Sequence, residues 1–196
     1  MLDAGDGDDV FLGWGAVFVD DVLRGGAGYD RIVNPGQDGG LGLANFGPDA
    51  GVEEIVGAAG RADQHVEGTS AADVLNFSQT RLTSLAHVDG RGGNDVITAS
   101  PLTAGMHYRG GSGADLFAVT AAAAGTEQVV EDFRAGTDKI DLRALSGVTM
   151  ASVSFQSSGS DLLVRVQLPP ALGGGVITIR LQDYAGTPAA SDFLFG

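Results

Sequence analysis

Five aspartates of this chain, Asp9, Asp30, Asp73, Asp95 and Asp115, each close a six-residue glycine-rich segment and open a short apolar one. The clearest copies are Gly25-Gly-Ala-Gly-Tyr-Asp30 before Arg31-Ile32 and Gly110-Gly-Ser-Gly-Ala-Asp115 before Leu116-Phe117. Ala4-Gly-Asp-Gly-Asp-Asp9 and Gly90-Arg-Gly-Gly-Asn-Asp95 depart at one position each, and Gly68-Thr-Ser-Ala-Ala-Asp73 keeps only the first glycine and the aspartate. The steps between the aspartates are 21, 43, 22 and 20 residues. A fixed period of this size marks a stacked repeat, in which each unit rests on its neighbour.

Composition narrows what such a stack can do. The acids are lopsided, 20 Asp to 5 Glu, and the net charge is −14. Asp is short, suits tight turns and ligates hard cations. The charge argues against nucleic acid and anionic membranes as partners. There is no cysteine, so neither disulfides nor zinc–thiolate sites are available. With 43% apolar residues the chain is not expected to be disordered. No run is long and apolar enough to suggest a membrane span, and no signal peptide precedes the first repeat. The abrupt start inside a repeat suggests a fragment of a longer protein.

Residues 1–33 read as three strand–loop units, the middle one, Gly13 to Leu23, carrying an insertion around Trp14–Val19 and ending Asp20-Asp21-Val22-Leu23. Residues 34–67 are degenerate, with a glycine-rich loop at Gly36–Gly42 and strands at Leu41–Phe46 and Val52–Val56. Gly47 falls between Gly25 and Gly68 at steps of 22 and 21, which places one coil without the aspartate in the 43-residue gap. The repeat stops near Glu127. Strands are expected at Val129–Phe133, Lys139–Leu142, Val148–Phe155, Leu162–Leu168 and Val176–Leu181. Only Ala121–Ala124 favours a helix. The division is therefore 1–126, a coil stack, and 127–196, a cap.

In such a coil the hexamer is a turn and the three residues after it are a strand. Glycines let carbonyl oxygens converge, and adjacent parallel strands lie about 4.8 Å apart. A cation held between two stacked turns can collect aspartate and carbonyl oxygens from both. Six oxygens suit Ca²⁺ better than the stricter Mg²⁺.

The pattern Gly-Gly-x-Gly-x-Asp-x-apolar-x resembles the RTX, or haemolysin-type, calcium-binding repeat, well over residues 3–33 and 87–118 and weakly over 60–77. The resemblance implies an all-β fold: a right-handed parallel β-roll, or β-solenoid, with a C-terminal antiparallel β cap. It also implies ligands, carbonyls one and three plus the aspartate of one turn with carbonyls two and four plus the aspartate of the next. One site would use Ala4, Asp6 and Asp9 with Gly26, Gly28 and Asp30. A second would use Gly90, Gly92 and Asp95 with Gly111, Gly113 and Asp115, and a third Gly68, Ser70 and Asp73 with Arg91, Gly93 and Asp95. On the opposite edge the equivalent positions hold Ala86 and Met106, Asp63 is one residue out of register, and only Asp21 fits. A one-sided row of roughly three Ca²⁺ ions follows, with the other edge closed by packing and hydrogen bonds.

The three histidines, His65, His87 and His107, each lie eight residues before a register aspartate and should stack on one outward face with Glu67, Asp89 and Arg109. Such a ladder could bind Zn²⁺ or Ni²⁺ or respond to acid, but a polar strand surface without a ligand is the preferred reading. Val129 to Leu142 resembles the segment that follows the roll in serralysin-type C-terminal domains. Ala190-Ser-Asp-Phe-Leu-Phe-Gly196 is similar to the tail read by type I secretion systems, with an ordinary last strand as its alternative.

No nucleophile elbow, His-Glu-x-x-His or phosphate loop is present. Adjacent acids such as Asp8-Asp9, Glu53-Glu54 and Glu131-Asp132 point to opposite faces of a strand and make poor catalytic dyads. The expectation is a non-catalytic calcium module of a secreted, extracellular protein, with the type I secretion apparatus and an upstream domain of the same polypeptide as partners. Two other readings stand beside it. One is an alginate-like polysaccharide-binding module, which needs Arg24, Arg31, Arg61, Arg81, Arg91 and Arg109 gathered on one face. The other is an adhesin or surface-layer spacer.

Overall fold

The stacked period folds as a β-solenoid whose coils supply one short strand to each of several parallel sheets. The computed structural model describes residues 1–19, 21–36 and 39–196, with the backbone alone at Ala16 and Val17. Asp20 and the middle of the Gly36–Gly42 loop lie outside these residues. No α-helix occurs among the described residues; the helical segments are 3-10 turns such as Ala121–Ala123.

One coil shows the plan. His65–Glu67 lies in a nine-stranded sheet, the chain turns through Asp73 into Val74–Asn76 of a six-stranded sheet, crosses to Arg81–Thr83 of a four-stranded sheet, and returns as His87–Asp89 beside its start. Pairing between coils is parallel and in register: Val66, Val88 and Tyr108 form one column, Leu75, Ile97, Phe117 and Ile140 another, and Ile32, Ile55 and Leu82 a third. Each is the second residue of its strand and is at most 4% exposed. Its neighbours point outward because side chains alternate along a strand. Burying each such side chain is worth about 1.5–3 kcal/mol.

The aspartates do not line one edge. After Asp9 and Asp30 the chain enters the four-stranded sheet, as Val10–Leu12 and Arg31–Val33. After Asp73, Asp95 and Asp115 it enters the six-stranded sheet. Strand Arg31–Val33 pairs with Glu54–Val56, and that pairs with Arg81–Thr83. Two coils on from Asp30 the chain therefore reaches Thr80, not Asp73. The expected single row is corrected to two columns at two different corners. Gly47 is corrected with it. It follows the six-stranded-sheet strand Asn45–Phe46, which pairs with Val74–Leu75, so it opens no turn beneath Gly68. Asp21 sits just ahead of Leu23–Ala27 in a separate two-stranded sheet, beside the N-terminal amine at 3.3 Å, and not on the Ala86–Met106 corner. Among the described residues that corner closes without a buried carboxylate. Gln64 and Met106 are buried there, and the Ala86 N–H donates to the Gln64 carbonyl at 2.7 Å.

Parallel stacking continues past residue 126. Glu127–Val130 pairs with His107–Arg109, and Lys139–Leu142 with Leu116–Ala118. Val176–Leu181, Asp161–Gln167 and Val153–Ser158 then extend the nine-stranded sheet as a meander, antiparallel among themselves. Residues 150–152, expected as strand, form a 3-10 turn. The final strand Phe193–Phe195 pairs in parallel with Lys139–Leu142 and covers the end of the six-stranded sheet. The meander and this strand cover the growing end of the solenoid, whose open strand edges would otherwise offer themselves for pairing.

Candidate metal centre

In both columns each aspartate reaches back one coil. Oδ1 of Asp30 accepts the N–H of Asp9 at 2.8 Å, Asp95 that of Asp73 at 2.8 Å, and Asp115 that of Asp95 at 3.0 Å. Sequence reasoning missed the last member of each column. Glu53 accepts the N–H of Asp30 at 2.7 Å, and Asp138 that of Asp115 at 3.1 Å. Both stand 23 residues after the preceding aspartate and directly before a strand, Glu54–Val56 and Lys139–Leu142, a signal the glycine pattern hides.

The second oxygen of these carboxylates carries the chemistry. Oδ2 of Asp9, Asp30, Asp95 and Asp115 is buried and has no hydrogen-bond partner. Asp30, Asp95 and Asp115 are 0% exposed. A buried carboxylate oxygen without a donor or a cation is costly. Burial, reinforced by neighbouring Asp115 and Asp73, pushes the Asp95 carboxyl up to about 7, despite the Asp73 N–H that favours its charge. Burial also raises Asp115, and the nearby Arg134 guanidinium partly offsets the rise. Asp73 differs. Its Oδ2 accepts the Thr69 N–H at 2.5 Å and the Thr69 hydroxyl at 3.0 Å, so the degenerate hexamer supplies its own donors.

The carbonyls are arranged in the opposite order from the one expected. Positions two and four of a turn point toward the following coil: the Arg91 carbonyl accepts the Ser112 N–H at 2.8 Å, and the Gly7 and Gly93 carbonyls press against Gly28 and Gly113. Position three points back: Ala27 accepts from Gly7 at 2.7 Å, and Ser112 from Gly93 at 2.9 Å. Position one points back as well, since the Gly90 and Gly110 carbonyls lie against Gly68 and Gly90. The parallel ladder forces this alternation, because successive carbonyls of an extended turn face opposite ways. The three gaps therefore pair Gly5, Gly7 and Asp9 with Gly25, Ala27 and Asp30; Thr69, Ala71 and Asp73 with Gly90, Gly92 and Asp95; and Arg91, Gly93 and Asp95 with Gly110, Ser112 and Asp115. Expected ligands Ala4, Asp6, Gly68 and Ser70 occupy positions one and three of their turns. Gly26, Gly28, Gly111 and Gly113 occupy positions two and four. All eight, together with Gly90, Gly92, Arg91 and Gly93 of the turn between, are on the side of the turn away from the gap they were assigned to.

Among the described residues no three His, Asp or Glu side chains converge on a point. Carboxylates alone do not make a site, and two per gap need the backbone carbonyls to complete an oxygen shell. Orphaned carboxylate oxygens beside convergent carbonyls fit Ca²⁺, which accepts six to eight such ligands in flexible geometry. A model of the peptidase M10 serralysin C-terminal family matches residues 4–168. The chain belongs to that family. The match spans both aspartate columns and the first two strands of the meander, and ends before Val176–Leu181 and Phe193–Phe195. A search of curated proteins finds no match. Among solved structures, the AlgE6R3 subunit of the Azotobacter vinelandii mannuronan C5-epimerase is similar, with a TM-score of 0.51 and 20% identity over 66% of this chain and 76% of that one. At that identity the likeness speaks for the fold, an RTX-type β-roll.

The histidine face lies on the nine-stranded sheet. His65 and His87 stack, ring centroids 4.7 Å apart and 12° from parallel. His107 turns instead to Glu131, with Nδ1 at 2.6 Å from its carboxylate, and the Arg109 guanidinium holds the same carboxylate. Nη1 of Arg109 stands 3.5 Å from Nε2 of His87. Glu67 bridges His65 at 3.3 Å and Arg91 at 2.9 Å. The face is a charge-paired strand surface. Burial first, then Arg109 and His65, holds the His87 pKa below 6.5, against the weaker pull of Asp89 and Glu131. A lowered histidine pKa means the unfolded chain takes up the proton more readily. The contribution is present above about pH 6.5 and lost as pH falls. Urea unfolding should show a greater loss of stability between about pH 7.5 and pH 5.5 in the native chain than in His87→Gln. An equal loss in both would remove His87 from the pH response.

Proposed function

We propose that this domain is a calcium-dependent folding module of a secreted protein. Calcium held between stacked turns closes its coils outside the cell. The observation that carries this reading is the set of four buried carboxylate oxygens, on Asp9, Asp30, Asp95 and Asp115, that no donor satisfies. Asp9 and Asp30 with Gly5, Gly7, Gly25 and Ala27 would hold one ion, and Asp95 and Asp115 with Arg91, Gly93, Gly110 and Ser112 another. The gap between Asp73 and Asp95 is the weaker third, because Thr69 already serves Asp73. The ion supplies the positive charge that Asp9, Asp30 and Asp95 lack, whereas Oδ2 of Asp115 has the Arg134 guanidinium at 3.6 Å. Where calcium is scarce the chain, with a net charge of −14, repels itself and stays loose.

Folding also bears on export. Phe193 is 4% exposed, Asp192 is 1% exposed, and the tail lies in the six-stranded sheet. A secretion apparatus that reads this tail must meet it before the domain folds, in keeping with calcium-triggered folding after passage. An upstream domain of the same polypeptide would be the cargo. The arginines do not form a basic stripe. Arg31 and Arg81 flank Glu54 on the four-stranded sheet, Arg61 pairs with Asp63, and Arg91 and Arg109 pair with Glu67 and Glu131. The folding-module reading is therefore preferred to the polysaccharide one.

Far-UV circular dichroism in chelator and then in millimolar calcium tests it. The β signal and the urea midpoint should both rise with calcium. At 100 times its dissociation constant each independent site adds about 2.7 kcal/mol, a large part of a domain's usual 5–15 kcal/mol. Equal folding and equal urea midpoints with and without calcium would sink the proposal.

A further inference from the structure

The Gly110–Asp115 turn is the last glycine hexamer of the second column, and the turn that ends in Asp138 carries none. The Gly111 and Gly113 carbonyls point out of that turn toward the cap, as Arg91 and Gly93 point out of the turn before. Arg134 meets them. Its Nη2 lies 2.6 Å from the Gly111 oxygen, 2.9 Å from the Gly113 oxygen and 3.6 Å from Oδ2 of Asp115. Its Nε lies 3.5 Å from Oδ2 of Asp138, which also accepts the Arg134 backbone N–H at 2.8 Å. A single guanidinium nitrogen thus has the surroundings a cation would have between two turns: carbonyls two and four, with the closing carboxylate of the same turn. A second carboxylate from the next coil is held by the same guanidinium. Asp115 is 0% exposed, and its Oδ2 has no hydrogen-bond donor. The Asp95 gap has no such guest, because the nearby Arg91 is turned to Glu67 at 2.9 Å.

We propose that the gap between the Gly110–Asp115 turn and Asp138 is a latent divalent-cation site held shut by the Arg134 guanidinium, the chain's own substitute for the ion. The assignment rests on the calcium reading of the other gaps. Its consequence is directional. The coil beside the cap closes without metal, and the earlier coils stack onto it when calcium arrives. In repeat proteins folding nucleates in one unit and propagates to its neighbours.

Equilibrium dialysis with calcium and amide hydrogen exchange in chelator test this on the whole chain, using Arg134→Gln and Arg134→Lys. R134Q should bind one more ion than the native chain. In chelator it should lose roughly ten-fold or more protection at Leu116–Ala118 and Lys139–Leu142, regained with calcium. R134K keeps the charge and should keep the native ion count. A native chain that binds calcium, with R134Q binding the same number, overturns the assignment and leaves the functional reading standing. An R134K that gains an ion also overturns it. A native chain that binds no calcium sinks the functional reading instead. The clamp is then judged by exchange in chelator alone, where unchanged protection in R134Q rejects it.

Discussion

Asp95→Asn should stabilise the domain in chelator and destroy much of its response to calcium, two effects of opposite sign from one substitution. Asp95 is 0% exposed, its Oδ2 has no donor, and its carboxyl is pushed up to about 7 by burial. Asn has the same shape. Its Oδ1 can keep the 2.8 Å hydrogen bond from the Asp73 N–H, and its amide nitrogen replaces the orphaned oxygen with a donor. Removing an unsatisfied buried charge should raise metal-free stability by about 1–3 kcal/mol. With calcium the order reverses. Asp95 belongs to the gaps on both sides of its turn, so the calcium increment should fall by more than the roughly 2.7 kcal/mol of one site. Urea unfolding in chelator and in saturating calcium, native against D95N, gives both numbers. A variant weaker than the native chain in chelator would show that Oδ2 is satisfied without a cation.

Gly113→Ala should be among the most damaging single substitutions. Its φ is +137°, outside the region L side chains reach even in left-handed turns, and a Cβ there would overlap the Gly93 carbonyl oxygen. The obstacle is backbone of the adjacent coil, which cannot yield without breaking the ladder. The cost should exceed about 4 kcal/mol. Gly136→Ala is the control. Its φ is +80° and a Cβ there meets nothing within 4 Å, so only the left-handed penalty of about 1–2 kcal/mol applies. Equal losses at the two positions, measured by urea unfolding in calcium, would mean that close stacking of the turns does not limit stability.

The glycine hexamers were readable in the sequence because positive φ and close approach to the next coil favour glycine at most of their positions. The columns of inward apolar residues were readable for a similar reason, since alternation in a three-residue strand leaves one place for Ile97 or Phe117. The histidine column was readable because residues 22 and 20 apart in a solenoid share a face. What that column does was not. His107 leaves the stack because Glu131, one coil later, offers it a carboxylate at 2.6 Å. Glu53 and Asp138 were hidden because their turns carry no glycine pattern, although their carboxylates do what the aspartates do.

The sequence by itself determined that the chain coils and that its turns carry carboxylates at a fixed spacing. Tertiary structure alone decided at which corner each carboxylate stands and which carbonyls it meets. A repeat period counts residues but carries no phase. Every corner of a coil recurs with nearly the same spacing, so Asp30 and Asp73 look two coils apart while lying at different corners. Carbonyl direction is set by the ladder between coils, and the Arg134 guanidinium is brought to the last hexamer turn by the fold of the cap. Neither leaves a mark in the spacing of aspartates.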